Sequence, residues 1–391
     1  MSNNTKREAM ATNKNDKTLN VPPLRFPEFT GEWQKYSLGE IGETIIGLTY
    51  KPSDVVENNG TIVFRSSNIK NGEIDYSDLV RVNKPIKDRI ITTENDILVC
   101  ARNGSQRLIG KNAIIKKEDA NNTFGAFMMV YRSNENSFIR PLLSTKRYFS
   151  QVGENLGARI NQITTSDFNG FEFYFPDNHI ERTKIAKLFR LIDERIVSQN
   201  KIIEKYESLI KGIAQHCIKE STSGNTYVKL GDICQITTGK LDANEQVDNG
   251  IYPFFTCAEQ PFKIDSFAFD TEALLISGNG ANLGYINYYN GKFNAYQRTY
   301  VLDIFSENIQ YIKWALKVLL PKRIAIEKSS SNTPYIVLST LSDLRLPIPN
   351  KSNQCHIAKL MQSLERKLSS QIALNGSYNK LKQYLLRQMF I

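Results

Sequence analysis

Two glycine-rich stretches have a spacing close to that of a nucleotide-binding loop. GNGANLG, from Gly278, follows an apolar strand pattern, but it is one residue longer than G-x-G-x-x-G and leads into another strand pattern. GSQRLIGKN, from Gly104, has glycines too far apart for a phosphate loop, and Asn112 stands where Ser or Thr must hold magnesium. We therefore expect no cofactor to be bound by this chain.

Two histidine–cysteine pairs have the side chains that could ligate a metal ion. His216-Cys217 ends one expected helix and Cys355-His356 begins another. Neighbouring positions of a helix point roughly 100° apart, so these side chains are poorly arranged to converge on one tetrahedral ion. We expect no metal site and interpret the pairs as packing at helix ends.

Polar loops are the candidates for ligand binding, and their chemistry is that of nucleic-acid contact. Arg, Lys, Asn, Gln, Ser and Thr read base edges or bind phosphates. In the first half of the chain these residues are Arg65, Ser66, Asn68, Lys70, Arg102, Asn103, Ser105, Gln106, Arg107, Arg159, Asn161 and Gln162. In the second half they are Asn279, Asn282, Tyr296, Gln297, Arg298, Lys328, Asn332 and Thr333. For each residue singly, a solvated loop is the alternative.

Composition agrees with an anionic partner. Lys and Arg total 50 against 40 for Asp and Glu, a net charge of +10 in 391 residues. A basic protein without such a partner is the alternative. The 5 cysteines include no C-x-x-C pair, which is typical of reduced thiols. The first 20 or so residues are polar and expected to be disordered, no apolar run is long enough for a membrane span, and we expect a cytoplasmic protein.

Two long helices are expected to position the loops, because one apolar pattern occurs twice. IAKLFRLIDERIVSQNKIIEKYESLI begins at Ile185, and IAKLMQSLERKLSSQIALNGSYNKLK begins at Ile357. Steps of three and four residues indicate a coiled-coil seam in each. The expected seam residues are Ile185, Leu188, Ile192, Gln199, Ile202, Tyr206, Leu209, Ile213, Ile357, Leu360, Leu364, Gln371, Leu374, Tyr378, Leu381 and Leu385.

The seam is interrupted at matching positions. Arg195 and Lys367 share one step, and Gln199 and Gln371 share the next. Polar residues in a seam fix register at a cost in stability, which favours unique pairing of the two helices. Alternatively, each helix buries its stripe on its own domain. About 40 residues per helix, on the order of 60 Å, are more than a domain needs, so pairing is preferred.

A looser repeat precedes each helix. YSLGEIGETIIGLTYKP from Tyr36 is matched by VKLGDICQITTGKLDA from Val228, and short strands broken by Gly and Asn turns follow both. The predicted fold class is therefore α+β, in which two β-rich domains alternate with two long helices. The expected bounds are a disordered tail at 1–20, a domain at 21–178, a helix at 179–220, a domain at 221–350 and a helix at 351–391.

The repeat predicts a pseudo-twofold molecule in which the helices pack as an antiparallel coiled coil. Two similar helices separated by a domain cannot run parallel without a long return, so antiparallel packing is the simpler solution. Two heads on a stiff rod are suited to reading two short DNA sequences separated by a fixed gap.

The chain resembles the specificity subunit of type I restriction-modification systems from LRFPEFTGEW at Leu24 to its C-terminus. The resemblance depends on that opening, on two Leu-Gly-Asp/Glu-Ile starts and on two Pro…Ile-Ala-x-Leu helix starts. It implies two target recognition domains, each reading one half of an asymmetric bipartite site in double-stranded DNA. It also implies that two helical regions form an antiparallel coiled coil and dock partner subunits.

The resemblance further implies that the chemistry belongs to partners. Two modification subunits would use S-adenosylmethionine to methylate adenine, and two restriction subunits would use ATP and Mg for translocation and cleavage. This chain would then have no catalytic residues. A DNA adenine methylase carries an Asn/Asp-Pro-Pro-Tyr/Phe motif, whereas the Pro-Pro pair here, Pro22-Pro23, is followed by Leu24.

Two other function classes remain open from the sequence. One is a stand-alone sequence-specific DNA-binding protein, and the other is a scaffold whose two heads bind proteins. A scaffold predicts binding that is indifferent to salt, whereas a DNA reader predicts affinity that falls steeply with salt. A stand-alone reader predicts a well-behaved free protein, whereas a subunit of an assembly should expose apolar helix surface.

Overall fold

A computed structural model describes residues 20–156, 161–221, 226–328 and 335–391. The chain forms two compact units, one made of the residues up to Val197 together with Gly376–Ile391, and the other of Ser198–Asn375. Both boundaries fall within long helices. Each unit therefore contains sheets and parts of both long helices.

The first unit holds the sheets of the first sheet-rich domain. Its strands are β1 (Gln34–Ser37), β2 (Glu43–Ile46), β3 (Val55–Val56), β4 (Thr61–Phe64), β5 (Ile69–Lys70), β6 (Glu73–Ile74), β7 (Val80–Val82), β8 (Ile97–Cys100), β9 (Asn112–Ile114), β10 (Thr123–Phe124), β11 (Met128–Arg132) and β12 (Glu172–Phe175). Its short helices are α1 (Leu38–Ile41), α2 (Asn136–Leu142), α3 (Lys146–Asn155) and α4 (Thr165–Asn169). The first long helix, α5 (His179–Glu220), begins here.

Two four-stranded sheets make up most of this domain, in the orders β10-β4-β7-β3 and β2-β11-β8-β9. β8 and most of β11 are apolar and buried on both faces, as expected of strands covered on each side. One face of that sheet packs on α2 and α3 through Phe138 and Tyr148, and the other packs towards Phe64 and Phe124. The ends of β8 and β11 are therefore held on a rigid base.

The second unit holds one large sheet. Its strands are β13 (Thr226–Lys229), β14 (Gln235–Thr238), β15 (Tyr252–Phe255), β16 (Phe262–Ile264), β17 (Phe269–Ser277), β18 (Ile286–Ala295), β19 (Thr299–Asp303) and β20 (Arg345–Ile348). Its shorter helices are α6 (Ile309–Lys328) and α7 (Leu338–Ser342), and the second long helix, α8 (Lys351–Gln388), begins here. The six-stranded sheet has the order β14-β19-β17-β18-β15-β16. Tyr311 of α6 donates its hydroxyl to the carbonyl of Pro347 at 2.6 Å, which fixes α6 beside β20.

In the first unit, the start of α5 packs against the end of α8. Ile185 and Phe189 share a core with Leu386, Met389 and Phe390, and the rings of Phe189 and Phe390 lie 5.5 Å apart. Polar contacts extend the pairing, because Asp193 accepts an ion pair from Lys382 at 2.6 Å and from Arg140 of α2 at 3.4 Å. The first sheet-rich domain is thereby joined to both long helices.

In the second unit, the end of α5 packs against the start of α8. Ile210 and Ala214 share a core with Met361 and with Trp314 of α6. Lys313 of α6 lies 2.8 Å from Glu365 of α8; burial lowers the pKa of Lys313, and Glu365 opposes that shift. Because opposite ends of the helices meet in each unit, α5 and α8 run antiparallel.

A layer of amides interrupts the apolar contacts in the second unit. Gln199 is buried, and its Nε2 donates to Oε1 of Gln371 at 2.7 Å. One residue further on, Asn375 Nδ2 donates to Oδ1 of Asn200 at 2.8 Å. We call these four side chains the amide layer. Their hydrogen bonds form in one register of α5 against α8, so the layer selects that register.

The structure corrects five of the sixteen expected seam residues. The seven-residue series Ile185, Ile192, Gln199, Tyr206 and Ile213, with Ile357, Leu364, Gln371, Tyr378 and Leu385, lies at buried or half-buried positions. In the intervening series, Leu188 is half-buried, but Ile202, Leu209, Leu360, Leu374 and Leu381 are exposed. The covered residue lies one position later, at Ile203, Ile210, Met361, Asn375 and Lys382. The second contact position of each heptad therefore lies four residues after the first, where we expected three. In the second unit the reason is that α6 packs against that side of the helix pair.

A buried ion pair fixes the beginning of α5. Arg25 donates from Nε and Nη2 to the two carboxylate oxygens of Glu181, at 2.6 and 2.7 Å, and the Glu181 side chain is fully buried. The backbone N–H of Leu24 donates to the carbonyl of Gln388 at 2.8 Å. The segment before β1 thus contacts both long helices. Among the described residues, none of the helices combines the length and apolar content needed to cross a membrane.

We expect the Gln199→Leu variant to lower the free energy of unfolding by about 1–3 kcal/mol, since it leaves the Gln371 amide without its partner. The double variant Gln199→Leu, Gln371→Leu should recover most of that loss, because both polar groups are removed together. Urea unfolding followed by circular dichroism measures both changes. Gln215→Leu, at an exposed position of the same helix, is the matched control. A double variant as unstable as the single one would contradict the pairing.

Candidate nucleic-acid interface

In the first unit, three of the polar loops named from the sequence converge at the ends of β4, β8 and β11. Asn103 donates from Nδ2 to Oγ of Ser66 at 3.0 Å and from its backbone N–H to the carbonyl of Asn161 at 3.2 Å. The Asn161 side chain donates to the carbonyl of Gly104 at 3.0 Å. The backbones of Arg102 and Gln162 form an isolated antiparallel bridge. Segments far apart in sequence therefore build one polar surface.

Several cationic and amide side chains of this surface face solvent. Arg102, Ser105, Gln106 and Arg107 are exposed, while Asn103 fixes the loop by accepting from the Ser105 N–H at 2.9 Å. A fixed backbone lowers the entropy lost when a side chain is ordered on a ligand. The loop at 102–107 is therefore arranged to present donors outward.

Two further cations of this domain have acidic neighbours. Arg65 lies 2.8 Å from Asp78, and Lys70 lies 3.0 Å from Asp75. The Asp75 pKa is lowered to about 2, first by the Ser77 hydroxyl and then by Lys70. Exposed ion pairs contribute little energy, so both cations can exchange these carboxylates for a phosphate.

Asn68 is a correction to the set predicted from the sequence. Its side chain is fully buried, accepts from the Arg65 N–H at 2.8 Å and donates to the carbonyls of Asp75 at 3.0 Å and Asp78 at 2.8 Å. All these partners belong to its own loop. Asn68 shapes the loop at 65–78 and presents no polar atom to a ligand.

In the second unit, the corresponding surface surrounds the turn between β18 and β19. Gln297 and Arg298 are exposed, and Tyr296 is half-buried. The N–H of Gly278 donates to the Arg298 carbonyl at 2.8 Å, which places the loop containing Asn279 beside this turn. Asn282 donates from Nδ2 to the carbonyl of Cys257 at 3.0 Å. The loops at 278–284 and 296–298 thus form one surface together with the end of β15.

Phe127 is the feature of this surface that sequence reasoning missed. Its ring is 58% exposed, and the guanidinium of Arg102 lies 5.0 Å from the ring centroid. Phe127 directly precedes the apolar strand β11, so in sequence it reads as a core residue. The glycine in the turn FGAF was the available signal that the chain reverses just before it.

Four of the predicted contact residues are only partly described or not described. Arg159, Asn332 and Thr333 lie outside the described residues. Lys328 is the last residue of α6, and the structure describes its backbone alone. Their contact with DNA stays a prediction.

The glycine-rich stretch at 278–284 and the thiols of Cys100 and Cys234 lie in surroundings that do not resemble a cofactor or catalytic site. Gly284 is followed by β18, whereas a dinucleotide loop opens a helix. Burial raises the pKa of Cys100 to about 11 and that of Cys234 to about 12, so both thiols stay protonated at neutral pH. Within the described ranges, no group of three or more His, Cys, Asp or Glu side chains is placed to hold a metal ion.

We expect Asn68→Ala to destabilise the first unit by about 1–3 kcal/mol, since the Arg65 N–H and the carbonyls of Asp75 and Asp78 lose their partner in a part-buried loop. Ser67→Ala, at the adjacent exposed position, should have no measurable effect. Thermal unfolding of both variants tests this structural role. If Asn68→Ala is as stable as the wild type but binds DNA more weakly, Asn68 contacts DNA as the sequence predicted.

Several curated proteins share sequence with this chain, and two of them show the extent of the similarity. The specificity subunit of the type I restriction enzyme EcoDI from Escherichia coli is 41% identical over 143 residues, which cover 37% of this chain and 32% of the relative. A putative type I specificity subunit of Mycoplasma genitalium is 24% identical over 256 residues, 60% of this chain and 65% of the relative. The chain thus spans less than two thirds of the length of these relatives.

The fold has a solved counterpart. The crystal structure of the S subunit of a type I restriction-modification system from M. genitalium matches with a TM-score of 0.66 at 20% identity, covering 95% of this chain and 99% of that one. The sequence pattern of the family described as "Type I restriction modification DNA specificity domain" matches residues 30–208 and 222–375. These two segments take in most of both sheet-rich domains and both long helices, and the chain belongs to this family.

Proposed function

We propose that this chain is the DNA sequence-specificity subunit of a type I restriction-modification complex. Each sheet-rich domain reads one half of an asymmetric bipartite site in double-stranded DNA. The observation that carries the proposal is that each unit brings exposed donors together at one surface, Arg102, Gln106 and Arg107 in the first and Gln297 and Arg298 in the second. Family membership supports the same function.

The long helices set the number of unread base pairs between the half-sites. The amide layer supports this role, since it holds α5 and α8 in one register. DNA half-sites must match the geometry of the protein that reads them, so a fixed register gives a fixed gap. The register is therefore part of the specificity.

The exposed side of the helices docks two modification subunits. Leu360, Leu374 and Leu381 occupy one heptad position of α8, which Lys367 also occupies, and the three leucines are 37–46% exposed. Repeated exposed apolar residues on one helix face mark an interaction surface. On α5, exposed Leu209 lies in a shallow groove that Lys205, Ser208 and Gly212 also line.

The chemistry of the complex belongs to its other subunits. The modification subunits supply S-adenosylmethionine for adenine methylation, and two restriction subunits supply ATP- and Mg-dependent translocation and cleavage. This chain contributes binding, orientation and spacing, and it is not itself an enzyme. A stand-alone reader or a protein scaffold is not favoured, because the family and the curated relatives are type I specificity proteins.

We expect co-expression with the cognate modification subunits to yield genomic DNA methylated at adenines of one bipartite motif with constant spacing. Exchange of residues 24–178 should change one half of the motif, and exchange of residues 226–350 should change the other. Methylation-sensitive sequencing of the genome measures both. A chain that forms no complex and leaves no motif, or an exchange that alters both halves together, would contradict the proposed function.

We expect Leu374→Glu, alone or with Leu360→Glu, to reduce recovery of the modification subunits at least tenfold in a pull-down. The reason is that a carboxylate must then be buried at the docking surface. Ile372→Glu is the matched control, since Ile372 is 50% exposed on the same helix but points to another side of it. Unfolding temperatures should stay the same in all variants. Equal loss of binding in the Ile372 variant would show that the docking surface is wrongly placed.

A further inference from the structure

The two sheet-rich domains are built on one backbone hydrogen-bond plan around equivalent turns. In the first domain the turn is Gly125–Met128, closed by the Met128 N–H donating to the Gly125 carbonyl at 2.8 Å. In the second it is Tyr296–Thr299, closed by the Thr299 N–H donating to the Tyr296 carbonyl, also at 2.8 Å. The two turns can therefore be compared residue by residue.

The surroundings of the turns correspond bond for bond. In the first domain the N–H to carbonyl pairs are Gly125 to Phe64, Ala126 to Leu48, Ala101 to Phe127 and Ile163 to Ala101. In the second domain they are Tyr296 to Phe255, Gln297 to Leu241, Gly278 to Arg298 and Ile336 to Gly278. This correspondence pairs Phe127 with Arg298. It also pairs Arg102, which follows Ala101, with Asn279, which follows Gly278.

Close-approach glycines confirm the alignment independently. A Cβ on Gly47 would lie 2.4 Å from the Phe124 carbonyl oxygen, and a Cβ on Gly239 would lie 1.9 Å from the carbonyl oxygen of Ala295, which aligns with Phe124. Both distances are far below van der Waals contact. In each domain a glycine thus lets the facing chain pass against the residues at the start of the turn.

The two aligned positions carry different side chains in the two domains, and the arginine lies at a different one of them in each. The second domain carries a guanidinium on the turn, at Arg298, and an amide on the neighbouring strand end, at Asn279. The first domain carries an aromatic ring on the turn, at Phe127, and a guanidinium on the strand end, at Arg102. Arg102 lies over the Phe127 ring at 5.0 Å, so its guanidinium is held above the turn. Each domain therefore presents one exposed guanidinium at this juncture, supplied by different residues.

We propose that this guanidinium binds a DNA phosphate in each half-site, with Arg102 and Arg298 as the contact residues and Phe127 as the positioning residue for Arg102. The proposal rests on the proposed function and deepens it. Two domains that read different bases still meet the same sugar–phosphate backbone, so a cation kept at one place in both fits a sequence-independent contact. In the first domain the arginine lies on the strand end instead of the turn. The Phe127 ring keeps its guanidinium close to the turn, because a cation is attracted to an aromatic face.

Reciprocal exchange within the first domain tests the proposal. The purified complex with modification subunits is titrated with its bipartite duplex over a range of salt concentrations. Arg102→Asn should reduce the slope of log affinity against log salt by about one unit, as for one lost phosphate contact. The double variant Arg102→Asn, Phe127→Arg installs the arrangement of the second domain and should restore the slope. Phe127→Leu should weaken binding less than Arg102→Asn does.

The control variant is Arg89→Asn, which removes an exposed cation of the same domain that pairs with Glu43 at 3.1 Å. It should leave the slope unchanged, and unfolding temperatures show that each variant is folded. The methylated motif should be the same in all variants, since a phosphate contact carries no base information.

Three results would overturn the inference: an unchanged slope in Arg102→Asn, a double variant as weak as the single one, or a motif that changes at one base pair. The last would make Arg102 a base reader. A wild-type complex whose DNA binding is independent of salt, and which methylates no bipartite motif, overturns the proposed function itself. If the wild-type complex binds DNA in a salt-dependent way and methylates a bipartite motif, but Arg102→Asn leaves the salt slope unchanged, only this inference is overturned.

Discussion

The pairing of Gln199 with Gln371 is the interaction on which the arrangement of the long helices depends. Apolar side chains pack in more than one register with little difference in energy, whereas a buried amide pair is satisfied in one register. The adjacent pair of Asn200 and Asn375 strengthens that choice. The layer belongs to the second unit and lies near the middle of α5, so the register is chosen away from the helix ends.

The sequence predicts the first contact position of each heptad correctly. It fails at the second contact position, which can lie three or four residues further along the helix. The series from Ile185 and from Ile357 is strongly apolar apart from its glutamines. Between those positions of α8 a step of three gives Leu374 and Leu381, whereas a step of four gives Asn375 and Lys382. On α5 both steps give apolar residues in most heptads, so hydrophobicity does not choose between them. The neighbours of each helix decide which side is covered, and Trp314 on α6 cannot be inferred from helix periodicity.

For the candidate nucleic-acid interface, too, the sequence predicts the location of the loops but not the role of each residue. Residue types identify the loops at 102–107 and 296–298 as polar and exposed, but they do not separate Asn68, which supports its own loop, from Asn103, which joins two loops. Phe127 and Arg298 share no chemistry, so no comparison of the sequences GAFM and YQRT aligns them. The backbone hydrogen bonds align them because strand pairing is independent of the side chains. Equivalence between the domains is therefore a property of the fold and becomes visible only there.

The hydrogen bond between Leu24 and Gln388, and the placement of Leu386, Met389 and Phe390 in the core of the first unit, have a consequence for biosynthesis. The second unit ends at Asn375, so a ribosome that has released that residue has delivered all of it. The first unit begins earlier but must wait for residues near 390. The domain made first is thus completed last, and its exposed apolar core during translation is a natural target for chaperones.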